Sequence, residues 1–417
     1  MEKALEGVRV IACTQIHAGA WCSRQLAELG AEVIRIEHPR GSPTRNPYDL
    51  WAGLGALAYK GESFYDVHHN AQHKFITLNL KTEEGKKIFI ELIKKSDIFV
   101  ENLGPGSMDR LGLGYDVQSK INPKIIYASI KTYGLSGPCK DEAGGDYICQ
   151  ARSGLMTVNG HPGMPDTLIG VAVVDHFTAT MTTVAILAAL YYREKTGQGQ
   201  LIDMSLFDCA VDLLAEQTAG YFVSRDPNCI AVSKRGNLGV WGENKVETIY
   251  ETKDGKLFLQ LGLGWGSKDK QEEYWTNLMT IIGRSDLIND PRYNAPTKRL
   301  ERINEIRNIL AEWLKTKTTM DAYTTLKKIG VLCTPLQTVP QMYDFDPQVK
   351  ARKLFVEVEH PTLGKVKVAR SPFNLSKTPG YVERPGMPVG YDNEEIYCSL
   401  LGYSKEKLKE LREKGVI

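Results

Sequence analysis

The chain has 417 residues, 42% of them hydrophobic, more than one compact core accommodates, so two domains with a substantial buried interior are expected. Its 24% charged residues leave a net charge of only +2, too weak a field to hold nucleic acid or an anionic membrane, so an anionic ligand must be met by local groups. Eight cysteines, at 13, 22, 139, 149, 209, 229, 333 and 398, form no CxxC pair and read as reduced packing residues.

The N-terminus, MEKALEGVRVIACTQ, has no basic stretch followed by an unbroken apolar run, so a cytoplasmic protein is the default expectation. VRVIACT at 8–14 is a continuous apolar, β-branched run, the pattern of a strand buried on both faces of a parallel sheet. After the loop QIHAGA at 15–20, AWCSRQLAELG predicts a helix ending at Gly30, and AEVIRIE a second strand closing at Glu37. The unit repeats: FITLNL at 75–80, the amphipathic TEEGKKIFIELIKKS, the strand DIFVENL, then KIIYASIKTYG. A Rossmann-like open α/β sheet follows, with its ligand crevice at the carboxyl ends of the strands. The loops there are QIHAGA, ENLGPGSMDRLGLG at 101–114 and KTYGLSGP at 131–138. Glu37 stands where dinucleotide-binding folds keep a ribose acid, but the first loop lacks GxGxxG, so NAD is not expected. His68 and His69 make a lone pair, and no metal site is expected.

GVAVVDHFTATMTTVAILAALYY at 170–192 is the best candidate for a membrane span, yet Asp175 and His176 inside it are costly in lipid. It reads as a buried helix with a functional or capping acid at its start. REKTGQGQLIDMSLFD then gives a glycine turn and a short strand, and AVDLLAEQTAG a helix. From Ser224 the texture becomes polar and Gly-rich, followed by the strand KLFLQLGLG and three amphipathic helices. The expected organisation is a large domain at 1–200, a linker helix at 201–225, a smaller α+β domain at 226–340, an extended connection at 341–394 and C-terminal helices at 395–417 returning to the large domain.

In order and spacing, four segments resemble the class III CoA-transferases: LEGVRVIACTQIHAGAWCSRQLAELGAEVIRIEHPRGSPTR, ITLNLKTEEGKKIFIELIKKSDIFVENLGPGSMDRLGLGY, AALYYREKTGQGQLIDMSLFD and the tail around EIYCSLLGYS. That family includes formyl-CoA and crotonobetaine CoA-transferases and, as a divergent branch, the methylacyl-CoA racemases. Each motif alone is weak, but together they span more than 390 residues, and GPGSMDRLGLGY leans toward the formyl-CoA type. The resemblance implies an enzyme that takes CoA esters and carboxylic acids as substrates, with no metal and no NAD. It implies a dimer of interlocked rings, either a homodimer or a hetero-oligomer with a paralogous subunit, and succinyl-CoA as a donor by family habit.

The resemblance places the nucleophile at Asp175 in IGVAVVDHFTAT. A carboxylate attacks an acyl-CoA thioester to give a mixed anhydride, then an aspartyl-CoA thioester, which splits one hard exchange into easier steps. The plain reading of Asp175 is a helix cap worth about 1 kcal/mol, and both roles can hold at once. The remaining correspondences concern CoA. His17 and Ala18 match the contact to its adenosine end, where the formyl enzyme has glutamine for His17. His38 stands where that enzyme has an arginine, and Arg40 is the alternative phosphate partner, because neutral imidazole is the poorer anion ligand. Leu78, Asn79, Asn102, Leu103 and Gly104 match CoA-binding backbone edges. Arg110 matches a phosphate-pairing arginine, against a plain reading as a solvated side chain. Gly145, Asp146 and Tyr147 match the segment over the pantetheine, with glycine where the formyl enzyme has lysine. Gly262, Gly264, Trp265 and Gly266 match a glycine-rich loop that shields the anhydride, against an ordinary glycine turn.

Two other readings stand beside transfer. A racemase needs a second base, which its relatives supply by histidine in GHD, but this chain has Gly145 in GGDY. A non-catalytic acyl-CoA-binding subunit would be expected to lack Asp175.

Overall fold

The computed structural model describes residues 2–45, 58–60, 62–161, 163–227, 247–261 and 267–417. The loop Gly262, Gly264, Trp265 and Gly266 lies outside the described residues. Six runs of mainly apolar residues become the strands of one all-parallel sheet: β1 Arg9–Cys13, β2 Glu32–Glu37, β3 Lys74–Thr77, β4 Ile98–Glu101, β5 Ile126–Lys131 and β6 Leu201–Ser205. Their order is β3-β2-β1-β4-β5-β6, so the chain winds outward from β1 to one edge, then restarts beside β1 and winds to the other. Val10 lies opposite Val33 on one side and Ile98 on the other. Strands enclosed in this way bury both faces, which is why they read as unbroken apolar runs rather than alternating ones.

The crossovers include α1 Ala18–Glu28, α2 Phe64–His69, α3 Glu83–Lys94, α4 Asp146–Ser153, α5 Val173–Thr196 and α6 Leu206–Asp212. α3 shows how sequence sets such an element. The Thr82 hydroxyl accepts from Gly85 N at 3.0 Å, Glu83 and Glu84 occupy the positive first turn, and Ile88, Phe89, Leu92 and Ile93 face the core. α5 is the one described helix long and apolar enough to cross a membrane. It is keyed to α1 by polar contacts: Gln25 Nε2 donates to Thr180 Oγ1 at 3.1 Å, and Thr183 Oγ1 donates to Gln25 Oε1 at 2.8 Å. It stops at Gly197, whose φ of 74° is cheap only for glycine.

The chain divides into two compact units. The first holds residues 1–153, 169–213 and 348–417 and contains the whole six-stranded sheet. The short strand read in QLIDMSLFD forms as β6 at Leu201–Ser205, inside the first unit, whose middle segment runs to 213. The second unit holds 154–168 and 214–347. Within it α7 Ala215–Ser224 leads on to β7 Glu247–Glu251, β8 Lys256–Gln260, α8 Lys268–Ile281, α9 Ile303–Lys315, α10 Thr319–Lys328 and β9 Leu332–Pro335. The strands form an antiparallel sheet in the order β9-β8-β7, and Leu257, Leu259, Trp275, Leu278, Leu310 and Leu326 close an α+β core.

The segment expected to be an extended connection contains a hairpin, β10 Phe355–His360 with β11 Gly364–Ala369. Val358 and Val368 pack with Ala71 and Val382, so the alternation of valine with charged residues there is a half-buried ladder. Beyond it, Asp392 and Asn393 pair with the free edge of β3. Phe75 N donates to Asp392 Oδ2 at 2.7 Å and Thr77 N to Asn393 Oδ1 at 2.9 Å, while the Tyr397 hydroxyl donates to Thr77 O at 2.7 Å. A π-helical turn at Glu395–Leu400 and α11 Lys405–Glu413 then place Ile396, Leu408, Leu411, Val416 and Ile417 in the main core.

Candidate functional site

The sheet reverses its winding between β1 and β4, and the loops leaving those strands part to open a crevice, as expected of a doubly wound sheet. A cavity of about 490 Å³ lies there. It is lined by residues 15–18 after β1, 102–105 after β4, 130–132 at the end of β5 and 143–148 leading into α4, with Tyr65, Ala172, Asp175 and Leu206. Asn102 fastens the two loops: its Oδ1 accepts from Gln15 N and its Nδ2 donates to Gln15 O, both at 2.7 Å. The loop after β4 is anchored from beneath by buried Lys131, whose Nζ donates to Glu101 Oε2 at 2.6 Å and to Leu103 O at 2.7 Å. Ile16 turns the first loop with a φ of 55°. For a β-branched residue that conformation costs on the order of 1–2 kcal/mol, and it falls at the cavity wall beside His17.

Asp175 occupies the first turn of α5 and faces the cavity. The capping role, however, belongs to Asp146, which is buried. Its Oδ2 accepts from Val174 N at 2.7 Å and from Asp175 N at 3.0 Å, and its Oδ1 accepts from Gln150 Nε2 at 2.5 Å. Asp175 is thereby relieved of the helix end and stands beside a second carboxyl group. Burial, and after it the Asp146 charge, push the Asp175 carboxyl up to about 7. Gly145 borders the same cavity, and a Cβ placed there would meet nothing within 4 Å. Tyr147 also lines it and is exposed.

Next to Asp175 the structure gathers side chains that are far apart in sequence. His17 precedes α1 and lines the cavity, and its Nε2 lies 2.7 Å from the Tyr65 hydroxyl. His69 stacks on Tyr65 with centroids 4.2 Å apart, and its Nδ1 is 3.2 Å from Tyr65 O. His176 meets the Trp21 ring edge-on at 4.7 Å. Ligating atoms of His17, His69 and His176 all lie within 4.8 Å of one another. The expectation of a lone His68–His69 pair is thus corrected. The His68 ring lies 5.5 Å from that of His69 with its Nδ1 3.3 Å from Arg24 Nη1, and His69 joins two histidines delivered by other elements. Burial, and next the neighbouring His176, hold the His17 imidazole down to about 4, and burial first, then His17, hold His69 down to about 2. The cluster is uncharged at neutral pH.

A second cavity of about 390 Å³ follows the carboxyl ends of β2 and β3, lined by residues 13–15, 36–38, 41–42 and 78–81 with Leu103 and Leu111. It shares Gln15 and Leu103 with the first. Of the sequence candidates, His17, Ala18, Asn102, Leu103, Gly104, Gly145, Asp146, Tyr147 and Asp175 border the first cavity, and His38, Leu78 and Asn79 the second. Arg40 and Arg110 border neither. Arg40 is exposed, with its backbone N donating to His38 Nδ1 at 3.2 Å, and Arg110 folds onto its own loop, donating to Pro105 O at 2.8 Å and to Ser107 Oγ at 3.2 Å. Both Glu37 carboxylate oxygens are taken, one by Arg35 at 3.0 Å and one by Arg45 at 2.8 Å. Sequence reasoning missed Tyr65, Gln15 and Lys131. Lys131 ends a recognisable strand and was within reach, but nothing local marks Tyr65.

The chain is 32% identical to a formyl-CoA:oxalate CoA-transferase of Streptomyces coelicolor over 100% of its length and 99% of that protein. It is 30% identical to a succinyl-CoA–D-citramalate CoA-transferase of Chloroflexus aurantiacus, over 100% of its length and 98% of the relative. The crystal structure of a CAIB/BAIF family protein from Brucella suis superposes with a TM-score of 0.83 at 30% identity, covering 96% of this chain and 100% of the other. Residues 5–393 match the family described as CoA-transferase family III, and with full-length relatives of this kind the chain belongs to that family and is a CoA-transferase.

Proposed function

We propose that the protein moves CoA from an acyl-CoA donor to a small carboxylic acid through covalent intermediates on Asp175. The observation that carries this reading is Asp175 itself, a carboxyl group at the cavity wall whose helix end is capped by a different residue. The Asp175 carboxylate attacks the thioester carbonyl, the C–S bond breaks, and CoA leaves as thiolate, giving a mixed anhydride. The thiolate attacks the aspartyl carbonyl and releases the donor acid, leaving an aspartyl-CoA thioester. The acceptor carboxylate attacks that thioester and the thiolate then takes the acceptor acyl group, which restores the Asp175 carboxylate. The relatives' names support small acids such as oxalate or citramalate as acceptors, and succinyl-CoA among the donors.

CoA in this reading lies along the carboxyl ends of the strands. Its nucleotide sits in the smaller cavity by Leu78, Asn79 and His38, and its pantetheine reaches Asp175 past Leu103, Gly104 and Gly145. Arg40 and Arg110 swing in to the phosphates, as permanently charged forks suit them. A homodimer is part of the proposal, supported by the exposed Val184, Leu187 and Tyr191 along α5. The test supplies succinyl-CoA without acceptor, then hydroxylamine. The expected result is inactivation with residue 175 converted to a hydroxamate, only after acyl-CoA is added. Asp175→Asn should stay folded and lose transfer by several orders of magnitude. Retention of transfer within about tenfold, or an unmodified Asp175 in protein that is turning over, overturns the covalent mechanism. A panel of acids read by mass spectrometry identifies the acceptor.

A further inference from the structure

The histidines beside Asp175 are arranged as ligands. His17 comes from the entry to α1, His69 from the last turn of α2 and His176 from the first turn of α5, so three separate segments each supply one imidazole. Among the described residues these three form the one group of histidine, cysteine or acidic side chains close enough to hold a metal ion. Their rings pack against aromatic neighbours. Tyr65 stacks on His69 and hydrogen-bonds His17, and Trp21 bears on the edge of His176. Because a carbonyl only accepts, the 3.2 Å contact to Tyr65 O makes His69 Nδ1 the donor. Its Nε2 is thereby left as a lone pair, the carbonyl-oriented tautomer that metal-ligating histidines commonly show. Arg24, the neighbouring cation, is neutralised by Glu28 at 2.7 Å.

We propose that His17, His69 and His176 form a binding site for a divalent first-row cation of the zinc type. Three imidazole nitrogens suit zinc and its neighbours and are poor ligands for magnesium or calcium, which want oxygen. A tetrahedral ion at about 2.0–2.1 Å from each nitrogen requires them to be about 3.3 Å apart, closer than the 4.8 Å limit that now encloses them. Binding therefore draws the rings inward, and His17 either gives up the Tyr65 hydroxyl or turns to present Nδ1. His17 also borders the large cavity, so the fourth coordination position opens on that side, to water or to an oxygen ligand held there.

Full-length protein stripped with a chelator should take up a single Zn²⁺ per chain in competition with a chromophoric chelator, at micromolar affinity or better. Co²⁺ should give the visible absorption of a tetrahedral site. X-ray absorption at the zinc edge, on wild-type protein loaded with one equivalent, should show a nitrogen and oxygen shell with imidazole scattering behind it. His69→Gln and His176→Gln should each weaken binding at least about tenfold with an unchanged circular dichroism spectrum. Sulfur in the zinc shell would assign the ion to a cysteine and overturn the proposal. So would affinity unaltered in both variants, or no ion held at micromolar concentration. If either variant fails to fold, the absorption spectrum of wild-type protein decides alone.

Discussion

Asp175 and Asp146 stand side by side with opposite duties, one facing the cavity and one tied to backbone N–H groups, and pH separates them. In chelator-treated protein kcat/KM should rise with pH through a midpoint near 7, because the attacking species is the carboxylate. Asp146→Asn keeps an oxygen for the Val174 and Asp175 N–H groups but removes the charge, so the midpoint should fall. A stationary midpoint would dissociate the two acids. The stability signature runs the other way: with the folded value near 7 above the roughly 3.9 of an unfolded aspartate, the folded state binds more protons in between. Asp175 thus weakens the fold progressively as pH rises through that window, and Asp175→Asn should melt higher than wild type at pH 8 but not at pH 4. Two glycines, one lining the cavity and one packed behind Asn102, test its construction. Gly145→Ala should leave stability within about 0.5 kcal/mol, since its Cβ meets nothing within 4 Å. Gly19→Ala puts a Cβ 2.8 Å from Asn102 Cγ and from Thr14 Cγ2, and should cost about 1–3 kcal/mol and raise KM by shifting the Asn102 clasp, as thermal melts and steady-state kinetics would show.

At the scale of elements, the edge of β3 is the point where the sheet most depends on distant chain. Asn393→Ala takes the acceptor from Thr77 N and the donor from Thr77 Oγ1, and should destabilise by about 1–3 kcal/mol in denaturant melts, with hydrogen exchange accelerated first at 75–77. None of this was visible in FITLNL. Strands buried on two faces announce themselves by largely apolar composition, which is why β1 to β5 were legible together with α1, α3, α5 and the crevice they define, whereas the short α2 and α4 were not read. The β10–β11 hairpin was not, although Val356 and Val358 against Val366 and Val368 carry the alternation of a half-buried ladder. Proline and charge around it suggested a connector. The site divides in the same way. Asp175 and the loops at 102–104 and 145–147 followed from family resemblance and strand ends, while Tyr65 and the histidine group depend on contacts between positions 17, 65, 69 and 176, which no local pattern encodes.

Taken as a whole molecule, the chain leaves the first unit at 213, forms most of the second and re-enters the first at 348. The hydrogen bonds that cover β3 join residues 316 to 320 positions apart. On the ribosome, residues 1–213 emerge with that edge bare, its N–H and C=O groups unmatched, while the second unit is made. An uncovered edge strand is a template for pairing with another chain. Chains truncated at residue 390 and released from the ribosome should therefore be protease-sensitive across 70–80 and prone to co-aggregate, and released chains extended through residue 400 should be resistant there. Equal resistance in the two would show that the edge needs no cover. Translation speed through the middle of the message then sets how long each nascent chain waits with its sheet open.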